Sequence, residues 1–419
     1  MRILFLTHYF PPEVNAPASR TFEHCRAWVE AGHEVTVLTC APNHPAGRVY
    51  PGHRNRLWQT ETNAGIRVCR VWTLLAPNRG TVRRTLNYLS YLLMAVLAAP
   101  FLRRADVVVS TSPQFFCGLA GYFVSRLHRA PWVLEIRDLW PESIVTVGAL
   151  APSRATRLLE RLEAWAYRHA DRIVSVTDSF VPRIAERAGD AAKIRVIKNG
   201  VDLDFYRPDQ DASALRAELG IGARFVAAYV GTHGMAHGLE VILRAADRLR
   251  DRPELLFLMA GDGAERARLL AEKERLRLDN VLMPGQLPKE RMPALWALTD
   301  VSLVLLRDQP LFRTVLPSKL FEALGAAKPV ILGVRGESAE LLQASGAGIC
   351  IEPENDAELA AAVSALAADR ARCTALGRAG REYVQQHFDR RRLAARFEAL
   401  LAEVVGGRRE GSARSGLHK

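Results

Sequence analysis

The chain carries few of the patterns that mark a covalent staple, a metal or a membrane anchor. Its six cysteines, at 25, 40, 69, 117, 350 and 373, never form a C-x-x-C pair. That spacing disfavours a disulfide framework and a zinc site, and fits small buried core residues in a reducing, cytosolic setting. The loop after the first apolar run lacks G-x-G-x-x-G, which disfavours a nicotinamide dinucleotide site. The longest apolar run, Leu86–Leu102, is 17 residues with Asn87, Ser90 and Pro100 inside it, marginal for crossing a bilayer. Met1-Arg2-Ile3-Leu4-Phe5-Leu6 is too short for a signal peptide and reads as a first buried strand. No short repeat is visible. No aromatic-basic single-strand motif supports nucleic-acid binding.

What is present is a globular composition, 419 residues with 49% hydrophobic and 7% aromatic content. That length predicts two or three domains. Charge is uneven: residues 1–200 carry 26 Lys and Arg against 15 Asp and Glu, whereas the remainder carries 31 against 30. A basic first half suits an anionic membrane surface or a phosphate-bearing acceptor. Leu86–Leu102, with Arg83-Arg84 and Arg103-Arg104 at its ends, reads as an interfacial helix; a buried domain helix is the plain alternative.

Short Val/Ile/Leu-rich runs alternate with helical spacing along the chain. Strands are expected at 2–6, 34–39, 66–71, 107–110, 132–136, 172–176 and 194–197. The pattern restarts at 225–230, 255–260, 280–283, 301–306, 329–332 and 348–351. The alternation predicts two doubly wound α/β domains in series, the first over 1–200 and the second over 201–386. A helix over 387–419 would pack back toward the first domain and end in a basic tail. Lys198–Pro208 is rich in turn formers and reads as a linker. Ligands of such sheets lie beyond the carboxyl ends of strands, which makes a cleft between the domains the expected site.

The stretch Leu316–Gly333 concentrates the chemistry. Pro317 and Ser318 suit a helix start, and Leu320, Phe321 and Leu324 form one apolar face. Lys319 and Glu322 sit near that start. Helix N–H groups and the dipole favour an anion there, and Lys319 adds a full charge. An acid one turn on can accept hydrogen bonds from paired ribose hydroxyls. A surface ion pair is the bland reading, although Lys before Glu is the weaker order. Other strand-end turns carry Gly231-Thr232-His233-Gly234, Gly261-Asp262-Gly263 and Gln286-Leu287. Ser110–Pro113 and Arg137–Ser143 follow strands in the first half, where Asp138 and Glu142 are candidates for hydroxyl contacts or proton transfer; capping and a first-turn acid are their plain alternatives. His233 and His237 lie four apart with no third metal ligand apparent.

Together these pieces resemble the family 4 retaining glycosyltransferases of two-domain GT-B fold. They are the first-strand Pro-Pro loop, AGHEVTVLT, RDLWPES, NGVD, VGTHGMAHGLE, MAGDG, NVLMPGQLP and PSKLFEALGAAKPVILGV. RDLWPES and PSKLFEALGAAKPV are most similar to a branch that includes N-acetyl-L-fucosamine transferases of bacterial surface polysaccharides. The resemblance implies a sugar nucleotide in the second domain and an acceptor in the first. It makes Glu322 a ribose ligand, Lys319 a diphosphate contact, Gln286-Leu287 the base-binding turn, and Gly261 and Gly263 the turn beneath the nucleotide. Ser318, Gly231 and Gly234 join the donor side; Asn15, Arg20 and Glu142 join the acceptor side. The chain departs from the pattern too. The first glutamate of the family's pair falls at Thr314, the usual Arg and Lys at Thr232 and His237, the usual paired glycines at Asn15-Ala16, and the usual histidine near Ser110–Ser112.

The reading is a retaining transferase moving a sugar, such as an N-acetylated deoxyhexosamine, from a UDP-sugar to a lipid-linked or oligosaccharide acceptor. Lys319 and Arg313 would meet the charge that develops on the diphosphate, and Asp138 completes the catalytic set. The resemblance implies no obligatory metal and no cofactor beyond the donor itself. A peripheral position on the inner face of the plasma membrane is expected. A sugar-nucleotide epimerase on the same fold is the alternative; it would need neither an acceptor nor a membrane surface.

Overall fold

The computed structural model describes residues 1–13, 15–44, 46–76, 81–142 and 153–416. The chain divides into two compact units, Met1–Lys198 with the segment from Arg391 onward, and Asn199–Arg390.

The first unit is built on eight strands: β1 (Arg2–Leu6), β2 (Glu34–Cys40), β3 (Trp58–Asn63), β4 (Ile66–Val71), β5 (Val107–Thr111), β6 (Trp132–Ile136), β7 (Arg172–Ser175) and β8 (Ile194–Val196). Their order is β3-β4-β2-β1-β5-β6-β7-β8. All neighbours are parallel except β3, which pairs antiparallel with β4. Helices α1 (Ala16–Glu30), α2 (Thr81–Ala98), α3 (Phe115–His128), α4 (Arg154–His169) and α5 (Val181–Ala188) cross between strands. The central strands are buried on both faces, so they read as continuous apolar runs. Sequence periodicity misses β3 because that edge strand is polar and largely exposed. Its signal is the two-residue turn Ala64-Gly65, where both residues have positive φ (48° and 76°), as a tight hairpin requires.

The second unit holds β9 (Phe225–Val230), β10 (Leu255–Ala260), β11 (Val281–Gly285), β12 (Val301–Leu305), β13 (Val330–Gly333) and β14 (Gly348–Cys350), in the order β11-β10-β9-β12-β13-β14 and wholly parallel. Its helices are α6 (Ser213–Glu218), α7 (Glu240–Arg248), α8 (Arg266–Leu276), α9 (Met292–Leu298), α10 (Ser318–Gly325), α11 (Glu337–Ser345), α12 (Asp356–Ala368) and α13 (Arg370–His387). In both sheets the first strand lies inside, flanked by the second and by a later one, so each has a topological switch point beside its first strand.

The last helix, α14 (Arg390–Gly416), docks on the first unit. Leu393, Phe397, Leu400 and Leu401 bury into the same core as Phe5, Trp28 and Val35, each contributing roughly 1.5–3 kcal/mol before entropy is subtracted. The Trp28 indole donates to the Ala394 carbonyl at 3.0 Å, and Phe397 meets the same ring edge-on. Residues 198–208, read as a linker, are instead held down. Val201 N–H donates to Phe388 O and Arg390 N–H to Val201 O, both at 3.0 Å, while Arg381 on α13 donates to the carbonyls of Leu203 and Tyr206.

Candidate active site

In the second unit the switch point lies between β9 and β12. The loop leaving β9 starts at Gly231, and the crossover after β12 contains α10. Lys319, second residue of α10, reaches across this point. Its Nζ sits 3.7 Å from the ring centroid of Tyr229 on β9, and a Cβ placed on Gly231 would meet that Nζ at 2.9 Å. The Nζ is shielded from solvent and has no hydrogen-bond partner among the described residues. Burial pulls the ammonium down to about 7, and the charge of Glu322 recovers part of the loss. A cation–π contact stabilises an ammonium only partly, so this group is short of an anion. The first turn of α10 has no side-chain cap: Pro317 occupies the cap position and Ser318 is the first helical residue.

Two histidines close the same corner, and both are neutral. Burial, with the nearby cations Arg266 and Lys319, pulls His233 down to about 4; burial and Lys319 pull His237 down to about 3. His233 is fully buried and neither ring nitrogen has a hydrogen-bond partner among the described residues. His237 Nδ1 lies 3.4 Å from Leu305 O. Among the described residues no three His, Cys, Asp or Glu gather as a metal set.

The glycines do something other than open space for a ligand. Gly261 has φ +147°, and a Cβ there would lie 1.8 Å from Gly231 O; Gly263 has φ +157°, and its Cβ would lie 2.5 Å from His233 O. They let the turn after β10 press on the loop after β9, which is clasped by bonds of 2.9 Å from Gly231 N–H to Ala260 O and from His233 N–H to Asp262 O. Gly234 has ordinary extended backbone and room for a side chain. Gln286 and Leu287 follow β11, Gln286 exposed and Leu287 half-buried. Arg313 is an exposed residue paired with Asp308 at 3.4 Å, and Asp308 also pairs with Arg335. Its guanidinium therefore has a carboxylate already, unlike the Lys319 ammonium. Thr314, where the family's first glutamate falls, donates its hydroxyl to Leu311 O at 2.6 Å within its own turn.

In the first unit the acceptor candidates separate. Arg20 is a structural residue, contrary to the expectation from sequence. It is buried, ion-paired with Glu135 at 2.9 Å, and donates to the carbonyls of Ile197 and Lys198. Its guanidinium is thus engaged by Glu135 and two backbone carbonyls in the interior of the unit. Glu142 lies within 3.4 Å of Arg183 and 3.7 Å of Arg187, a cluster joining it to α5. Asn15 caps α1, its Oδ1 accepting from Ala18 N–H at 2.9 Å, while its Nδ2 is buried without a partner among the described residues. Asp138 lines a hollow with Phe115, Trp140 and Tyr167. Burial pushes its carboxyl up to about 6 against the opposing pull of Arg137. Ser143 lies outside the described residues. Sequence reasoning missed Tyr229, the platform under Lys319; its one signal was a polar-tipped aromatic near the end of an apolar strand.

Residues 15–200 match the profile of a glycosyl transferase 4-like domain, and residues 211–383 that of glycosyl transferases group 1. The chain belongs to the family 4 glycosyltransferases of GT-B fold. It is similar over 412 residues, at 26% identity, to WcaI of Escherichia coli strain K12, whose name places it in colanic acid biosynthesis as a glycosyl transferase; the match covers 95% of this chain and 98% of WcaI. In fold it is similar to sucrose-phosphate synthase from Thermosynechococcus elongatus, with a TM-score of 0.75 at 20% identity over 97% and 100% of the two chains. It is also similar to HepE of Anabaena in complex with UDP and glucose, with a TM-score of 0.72 at 18% identity over 96% and 99%. This family 4 transferase gains no support from these relatives for the epimerase alternative.

Proposed function

We propose that this glycosyltransferase moves a sugar from a UDP-sugar to a lipid-linked or oligosaccharide acceptor of cell-surface polysaccharide synthesis, with retention at the anomeric carbon. The observation that carries the reading is the Lys319 ammonium, shielded, stacked on Tyr229 and without a hydrogen-bond acceptor at the switch point of the second unit. A diphosphate supplies the missing anion. As the bond from the anomeric carbon to the diphosphate oxygen breaks, charge grows on that oxygen, and a poorly solvated cation stabilises it more than it stabilises the ground state. The new bond to the acceptor oxygen forms on the same face, and the acceptor hydroxyl loses its proton. Asp138, with its raised carboxyl, is the acceptor-side group assigned to that hydroxyl. Glu322, one turn beyond Lys319, is assigned to the ribose. The HepE complex with UDP and the name of WcaI support the donor and the pathway class.

The membrane reading rests on α2. Val82, Leu86, Leu89, Leu93 and Leu97, with Phe101 just beyond the helix, are 40–79% exposed and recur at helical spacing on one side. Tyr91, Ala95 and Ala98 bury the other side. No helix among the described residues is long and apolar enough to cross a membrane. An apolar stripe on a basic unit suits a leaflet surface instead. Only part of the arginine flank serves it: Arg83 is exposed, but Arg84 turns inward, Arg103 pairs with Glu34 at 2.8 Å, and Arg104 donates to His128 O.

The deciding assay is UDP release from a donor panel, including GDP-sugars, with and without bacterial membrane lipid extract. Lipid-dependent release of UDP is expected; release of GDP alone, or none from any donor, refutes the donor assignment.

A further inference from the structure

A second polar hollow lies in the first unit, beside its own switch point. Open solvent at its mouth included, it spans about 260 Å³, and its lining includes His8 and Tyr9 after β1, Asn43 and His44 after β2, and Arg84 and Tyr88 from the inward side of α2. The lining is built rather than incidental. Glu13, itself buried, accepts the N–H groups of Asn43 and His44 at 2.8 Å each and that of Phe10 at 3.4 Å, which fixes the loop after β2. Gln114, following β5, donates to the Tyr9 hydroxyl at 2.8 Å and sets that ring. His8 is 4% exposed, stands edge-on to Tyr9, Tyr88 and Tyr91, and its Nδ1 has no hydrogen-bond partner among the described residues.

The groups present select a ligand class. Burial holds both histidines far below their usual range, His8 at about 3 and His44 at about 4, with Arg84 adding to the effect on His44. At neutral pH they are uncharged hydrogen-bonding rings. With an asparagine and two tyrosines they make a lining for hydroxyls and ring edges. Among the described residues Arg84 is the one lining cation. Its Nε donates to the Tyr88 hydroxyl at 3.1 Å, and it makes no ion pair with a carboxylate among the described residues. Glu13, the nearby acid, has both oxygens engaged by backbone N–H groups. A half-buried guanidinium with neutral neighbours favours an anion held at its fork.

We propose that this hollow is an acceptor subsite for one sugar ring bearing an anionic group, a phosphate or a carboxylate, with the anion on Arg84 and the ring between Tyr9 and Tyr88. The proposal rests on the reading of the first unit as the acceptor's. It also places the subsite on the inward side of the helix whose outward side is the apolar stripe. A phosphate linking sugar to lipid is thus one source of the anion and a uronic acid the other.

The test is calorimetry and saturation-transfer NMR on the full chain with glucose 1-phosphate, glucuronic acid, glucose and inorganic phosphate, alongside UDP. At least one charged sugar should bind tenfold or more tighter than both glucose and phosphate, and which one does identifies the source of the anion. Arg84→Gln should reduce that sugar to the level of glucose, and Tyr88→Phe, a milder change, should weaken it several-fold. UDP affinity should be unchanged in both variants, which shows that they are folded and separates this proposal from the donor assignment. Equal binding of glucose and both charged sugars overturns it. So does phosphate binding as tightly as glucose 1-phosphate, or an Arg84→Gln variant with normal UDP affinity and undiminished sugar binding.

Discussion

Raising the pH should weaken UDP binding, and Lys319 fixes how steeply. In the free protein burial holds its ammonium at about 7, and the groups around it are the Tyr229 ring, two neutral histidines and Glu322. A bound diphosphate would return the lysine toward its ordinary range near 10.5. Binding then takes up protons wherever the free lysine is neutral and the bound one is not: about half a proton at pH 7 and about 0.9 at pH 8. The affinity should fall about fivefold from pH 7 to 8 and about ninefold from pH 8 to 9, about fiftyfold in all, or roughly 2 kcal/mol. The terminal phosphate of UDP, which titrates near 6, is ionised throughout that window. Calorimetry in two buffers of different ionisation heat measures both the slope and the proton count. Lys319→Met should bind with a flat profile close to the wild type's high-pH limit, and uridine should show no slope in either protein. A flat wild-type profile, or the same slope in Lys319→Met, refutes the assignment. Stability of the unliganded protein runs the other way. The folded lysine has the lower pKa, so the unfolded chain binds more protons between about 7 and 10.5, and the lysine's contribution becomes less unfavourable as pH rises through that range.

Four further outcomes are expected. Glu322→Gln should weaken UDP binding by about 1–3 kcal/mol while the fold is kept, as for a charged hydrogen bond to ribose; calorimetry checks this. Asp138→Asn should remove an acidic limb near pH 6 from the rate profile, since the carboxyl must be ionised to accept a proton; an unchanged limb points elsewhere. Gly261→Ala should lower stability by at least about 2 kcal/mol in denaturant unfolding, because its Cβ would lie 1.8 Å from Gly231 O. Leu86, Leu93 and Leu97 changed together to serine should release the protein from anionic vesicles in co-sedimentation without loss of UDP affinity. Wild-type binding itself should weaken with salt.

Most of the fold was legible because parallel strands buried on both faces leave an unambiguous trace. The β9 run FVAAYV and the β13 run VILG are apolar throughout and ended by glycine, and the strands expected from them are the strands found. What failed to show was polar or context-dependent. β3 has no buried face, so only its hairpin turn could have revealed it. The linker looked loose because turn formers are the same residues whether their carbonyls face water or Arg381. Arg20 looked like a ligand contact because it ends a loop at a strand's carboxyl end. Its true role depends on Glu135, which lies 115 residues away and is brought to it by sheet order.

The corner around Lys319 shows why side-chain function is harder to read than fold. Spacing places Lys319 and Glu322 on one helix, and from that alone a surface pair is the natural inference. The property that matters, an ammonium withdrawn from water, is created by residues on another strand and loop. Tyr229 covers one side of the Nζ and Gly231 leaves room for it, while Gly261 and Gly263 hold that loop in place. Arg313, four residues before Pro317, offers the contrast. It has the same charge and lies in the same crossover, but it is exposed and already paired with Asp308. A charge that has its counter-ion and its water contributes little to binding an anion, whereas one lacking both binds an anion strongly. The family's usual Arg and Lys positions hold Thr232 and His237 here. With His237 neutral, the proposed diphosphate contact assigns the work of those two cations to Lys319, and on that proposal removing its charge should cost this enzyme more than removing Arg313.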